Sequence, residues 1–93
     1  MVLEVAILQV KSEKTRSFEN DFGKASKYIE KIAGYISHSL KKCLEDNHKY
    51  LLQVEWETLE DHTIGFRESK EYTEWKKLLH HYYEPFPVVE HFV

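Results

Sequence analysis

Three observations predict an α+β fold with the element order βαββαβ. The chain opens on a β-branched apolar run, carries two period-two stretches joined by turn residues in its middle, and places amphipathic helical patterns after the first and third of these strands. That order is the ferredoxin-like arrangement, an antiparallel sheet with helices on one face. Its usual strand order, 4-1-3-2, buries the first strand and leaves the last at an edge. In a chain of 93 residues, residues 1–93 make one domain.

The first strand, residues 2–10, is interrupted only by Glu4 and Gln9, as suits a central strand covered on both faces or nearly so. Ser12 is placed to cap the first helix, along which Phe18, Phe22, Ala25, Ile29 and Ile32 recur at spacings of 4, 3, 4 and 3 and define one apolar stripe. Gly34 stands where a left-handed residue closes a helix, and Gly23 costs about 1 kcal/mol against alanine in the helix interior. From Tyr35 to Cys43, Ile36, His38 and Leu40 alternate with Tyr35, Ser37, Ser39 and Lys41. Residues 45–48 supply turn chemistry, and the returning run 50–57 puts Tyr50, Leu52, Val54 and Trp56 on one face and Leu51, Gln53, Glu55 and Glu57 on the other. Thr58 and Asp61 match a capping box that starts a short helix with Leu59, His62 or Thr63, and Phe66 on one side. Ser69 caps a further helix bearing Tyr72, Trp75, Leu79 and Tyr82. Pro85 and Pro87 end it, and Pro87, without an N–H donor, sends the closing strand, residues 88–93, to a sheet edge.

Composition removes several classes of function. With 13 basic and 16 acidic side chains the formal charge is −3, and no block of Lys and Arg offers a phosphate-binding surface, so neither nucleic acid nor an anionic membrane is an expected partner. No apolar run reaches the roughly 20 residues a membrane span needs. The single cysteine, Cys43, allows no internal disulfide and suits a cytoplasmic protein. At this length a fold buries only about 60–65% of its unfolded surface, so a second copy covering the helix-free sheet face would complete a thin core. Two surpluses remain, an aromatic share of 14% and 6 histidines.

The stretch from Tyr50 through Trp56-Glu57-Thr58-Leu59-Glu60-Asp61-His62 to Arg67, together with Glu74 to Tyr83 and Pro87 to Phe92, resembles the antibiotic biosynthesis monooxygenase (ABM) domain family over essentially the whole chain. The resemblance implies a protomer that pairs through its sheet into a dimeric α+β barrel, with a pocket between sheet and helices. It also implies a monooxygenase that oxidises a small aromatic or quinol-like molecule with molecular oxygen and without metal or flavin. Such a reaction needs an apolar pocket, a proton acceptor and hydrogen bonds to the resulting anion. Family members of both the oxygenase and haem-opening types use an asparagine and a tryptophan in the pocket. Here the only asparagines, Asn20 and Asn47, fall on a polar helix face and in a turn, and the haem-opening tryptophan position reads Gly65-Phe66. A non-catalytic dimeric binding or stress-response protein of the same fold is therefore kept beside the enzyme, with haem binding as a third reading.

Among individual residues, His62 is the candidate general base, since it opens the short helix directly after the aromatic strand and titrates near neutrality. Trp56, Phe66, Tyr72, Trp75, His81 and His91 are the candidate substrate-binding residues. His80 and His81 point about 100° apart, so only one faces the sheet, and His81 is set with the pocket. A metal site built from His62, His80 or His81, His91 and Glu90 has no H-x-H or H-x-x-x-H spacing behind it, and no metal or other cofactor is expected.

Overall fold

A computed structural model describes residues 1–93. Strand β1 (Val2–Gln9) is followed by a 3-10 turn (Ser12–Lys14) and helix α1 (Thr15–Ile29), then by strands β2 (Tyr35–Lys42) and β3 (Lys49–Trp56). A π-helix (Asp61–Phe66), helix α2 (Lys70–Leu79), a second 3-10 turn (His80–Tyr82) and strand β4 (Val89–Phe92) complete the chain. The sheet order β2-β3-β1-β4 is antiparallel throughout, with β1 central and β4 at an edge. This is the predicted ferredoxin-like α+β fold.

The burial of each element follows its periodicity. On α1, Phe18, Phe22, Ala25 and Ile29 are buried, and on β3 Tyr50, Leu52, Val54 and Trp56 are buried at every second position. Together with Ala6, Leu8 and Val10 of the first strand region they form one apolar layer between sheet and helices. Phe18 anchors its far end, lying 5.0 Å from Tyr50 and 5.6 Å from Tyr82, while Phe22 meets Trp75 of α2 at 5.7 Å. The opposite sheet face, with Leu3, Val5 and Ile7 of β1, Leu51 of β3 and Phe92 of β4, carries no helix.

Local signals decide the ends of elements, with two corrections. Ser12 does not cap α1; its hydroxyl donates to the Glu13 carboxylate and the chain enters the helix through the 3-10 turn instead. In β2 the strict alternation fails at Ile36, which bulges out between the pairs Tyr35–Trp56 and Ser37–Glu55. One extra residue flips the parity, so Tyr35 joins His38 on the covered face and hydrogen-bonds it, while Ile36 is exposed. The other signals are realised. Thr58 and Asp61 exchange reciprocal bonds of 3.1 and 3.2 Å, and the Ser69 hydroxyl accepts from the Tyr72 N–H at 3.0 Å. Gly34 takes φ +89° several residues beyond α1, and a side chain there would overlap the Asp61 carboxylate that closes the capping box. Gly23 faces open space, so close packing does not ask for it.

Candidate active site

A cavity of about 360 Å³ lies between the covered face of the sheet and the chain from the π-helix to β4. Ala6, Leu8 and Leu52 of the central strands form its apolar floor. Phe66, Tyr72 and Trp75 stand on one wall, where Phe66 meets Tyr72 at 5.0 Å and Trp75 at 5.5 Å in edge-on contacts. Tyr83, Phe86, Pro87 and Val89, from the segment leading into β4, close another. The volume falls within the range of small-molecule sites.

Two buried polar side chains, Glu4 and His62, interrupt this apolar lining. Glu4, midway along β1 and pointing to the covered face, is only 6% exposed, and His62 is 3% exposed. Oε1 of Glu4 accepts the indole N–H of Trp56 at 2.9 Å, and Nε2 of His62 approaches the same oxygen to 3.4 Å. His62 lies flat on Trp56, with ring centroids 5.4 Å apart and planes 20° from parallel. Its Nδ1 is 2.8 Å from Nε2 of His91, which β4 places directly across from Glu4. His62 and Phe66, four residues apart in the π-helix, face the sheet together, while Ile64 and Gly65 stay outside.

Burial sets the protonation of the group. It raises the Glu4 carboxyl above its ordinary range, against the Trp56 N–H and the Arg67 guanidinium, which favour the anion. Burial, reinforced by Arg67 and His91, pushes the His62 imidazole down to about 3, so it is neutral at physiological pH. The 3.4 Å approach of His62 to Glu4 is thus a contact between a neutral ring and a carboxyl group rather than an ion pair. Burial and Arg67 also lower His91. Burial raises both Tyr72 and Tyr83, whose hydroxyls stay protonated as donors. His62 turns one nitrogen to Glu4 and the other to His91, an arrangement that shares protons and does not converge on a common point.

Of the residues singled out from sequence, His62, Phe66, Tyr72 and Trp75 line the cavity. Trp56 is fully buried behind it, supporting Glu4 and His62, and His91 stands behind His62. His81 is not among them. Where α2 tightens into the 3-10 turn, the chain turns His80 onto the cavity beside Tyr72 and Phe86, and His81 stacks on Tyr82 at the exposed surface near Lys11 and Lys14. Neither Asn20 nor Asn47 lines the cavity. Sequence reasoning missed Glu4 and Arg67. The one available signal was a carboxylate inside a strand otherwise read as buried.

Comparison with known proteins agrees with this architecture. Residues 1–78 match the family model described as antibiotic biosynthesis monooxygenase. The protein YczJ of Bacillus subtilis strain 168, itself uncharacterised, is 60% identical over 92 residues, covering 99% of this chain and 97% of its own. A solved structure from Bordetella bronchiseptica that carries the same family description superposes with a TM-score of 0.94 at 28% identity, over 99% of this chain and 94% of its own. The fold is shared at 15% identity with SnoaB, a cofactor-independent oxygenase from Streptomyces nogalater, with a TM-score of 0.76 over 98% of this chain and 87% of that one. No helix of the protein is long and apolar enough to cross a membrane. The match over residues 1–78 and the kinship with YczJ show that the chain belongs to the antibiotic biosynthesis monooxygenase family.

Proposed function

We propose that the protein is a cofactor-independent monooxygenase that oxidises a small aromatic, quinol-like molecule with molecular oxygen in the cytoplasm. The observation that carries this reading is the cavity itself: an apolar, aromatic-walled chamber with one buried acid–base group, Glu4 and His62, at its floor. The ring lies against Phe66, Tyr72 and Trp75, and its hydroxyl meets the Glu4–His62 pair. A ring that has lost its hydroxyl proton gives two electrons to oxygen as a carbon–oxygen bond forms to a hydroperoxide. Breaking its O–O bond and the C–H bond on the same carbon then releases water and leaves a carbonyl. All four electrons thus come from the substrate, one oxygen atom stays in it and the other leaves as water. The protein's share is to exclude bulk water, orient the ring and manage the proton. Purified protein with dihydroxy-aromatics is expected to consume oxygen faster than buffer. His62→Ala should slow this about 100-fold, the cost of a catalytic group misplaced by about 1 Å. Uptake at the buffer rate, or an unchanged rate in His62→Ala, would contradict the reading.

We further propose that two copies pair through the helix-free sheet face, which exposes 43% of Ile7 and 51% of Phe92 beside Leu3, Val5 and Leu51. Light scattering at micromolar concentration should give twice the 11.2 kDa chain mass; a value near that mass would rule the pairing out.

A further inference from the structure

We propose that Glu4 is the residue that takes the ligand's proton, and that the ligand is therefore a hydroxyarene bound with one O–H against Oε2 of Glu4. This rests on the oxygenase reading for the fate of the anion, but not for the proton transfer itself.

The two carboxylate oxygens of Glu4 are not equivalent. Oε1 is occupied, holding the Trp56 N–H at 2.9 Å with His62 Nε2 beside it at 3.4 Å. Oε2 has no protein hydrogen-bond partner, yet no polar side-chain atom of the protein is both sealed from the surface and unpaired, so Oε2 opens onto the cavity that Glu4 lines. A carboxylate oxygen facing an apolar chamber is a prepared acceptor.

The other polar groups around the cavity are less suited. His62 has Nδ1 bonded to His91 and Nε2 turned to Oε1, which makes it a positioning residue that keeps Oε1 engaged and Oε2 inward. Tyr72 from α2 and Tyr83 before β4 remain protonated and donate. His80 packs edge-on to Phe86 at 4.9 Å. Arg67, just after the π-helix, is the cation that faces the phenolate once formed. In the step, the O–H bond of the ligand breaks, a new O–H bond forms on Oε2, and the negative charge moves from Glu4 to the ring. Burial raises the proton affinity of the Glu4 carboxylate, and the negative charge passes to a ring over which it is delocalised.

Para-nitrophenol, whose phenolate is yellow, reads the transfer without oxygen or turnover. Bound to the wild-type protein at a pH well below its own pKa in water, it should show the phenolate band, and difference infrared spectroscopy should show a carboxylic-acid C=O stretch appearing on binding. Glu4→Gln keeps an oxygen for the Trp56 N–H and should bind the probe without the phenolate band. His81→Gln, at the exposed surface away from the cavity, should keep the band. An undiminished band in Glu4→Gln, loss of the band in His81→Gln, no C=O stretch in the wild type, or no binding by the wild type would each overturn the proposal. The infrared measurement stands even if Glu4→Gln fails to fold. Ionised bound probe without oxygen uptake on any dihydroxy-aromatic would sink the oxygenase reading and leave the assignment of Glu4 standing.

Discussion

Trp56→Ala is expected to be the most damaging single substitution in the chain, lowering the melting temperature by about 12 °C or more. The side chain is wholly buried, at the junction of Tyr35 from β2, His62 from the π-helix and Phe66, with ring centroids 6.1, 5.4 and 5.8 Å away. Removing a buried tryptophan costs about 3–5 kcal/mol through lost burial and the cavity left behind. It also strands Oε1 of Glu4, a buried acceptor whose N–H partner is gone, at about 1–3 kcal/mol more. Against about 5–15 kcal/mol for an ordinary domain, that is a large share. Trp56→Phe retains most of the packing and should show mainly the second loss. Thermal melts of both variants check this, and a Trp56→Ala protein melting within a few degrees of wild type would refute it.

Acid is expected to destabilise the protein through His62. In the unfolded chain this imidazole takes a proton near pH 6.5, whereas in the fold it stays neutral down to about 3. A depressed folded-state pKa means that its contribution is complete above about 6.5 and is lost as pH falls from there toward 3, where the unfolded state binds the proton the native state refuses. His80 and His91, also lowered, act in the same direction. Glu4 acts oppositely: its raised pKa stabilises the fold below the unfolded value and is lost as pH rises through the folded one. As pH falls from about 6.5 toward 3 the wild type should lose melting temperature relative to His62→Phe, whichever of the two is the more stable at neutral pH. Parallel curves would show that His62 is not buried as a neutral ring.

Much of the fold is legible in the sequence because its signals are local. The stripe from Phe18 to Ile29, the alternation from Tyr50 to Trp56, the Thr58–Asp61 box and the Ser69 cap each act within a few turns of chain, and the structure uses each as written. The site is less legible, because its polar group is assembled over distance. Glu4 has its hydrogen-bond partner 52 residues away, and in a one-dimensional reading it looks like a polar interruption in an apolar strand. The bulge at Ile36 is invisible for a related reason: the period-two pattern of residues 35–41 reads equally well in either parity, and only pairing with β3 shows which residue is extra. His80 and His81 differ by one position where α2 tightens, a boundary that composition does not mark.

The π-helix governs how its segment tolerates change. Its widened turn, closed by the Arg67 N–H on the His62 carbonyl at 3.2 Å, contains one residue more than an ordinary helical turn would hold. Thr63, Ile64 and Gly65 are exposed or half-exposed, so their identities are weakly constrained. The wide turn also absorbs length: with one of them deleted, the segment closes as ordinary helix with His62 three places before Phe66, a spacing that still holds both side chains on one face. This stretch tolerates the loss of a residue without turning the acid–base group away from the sheet.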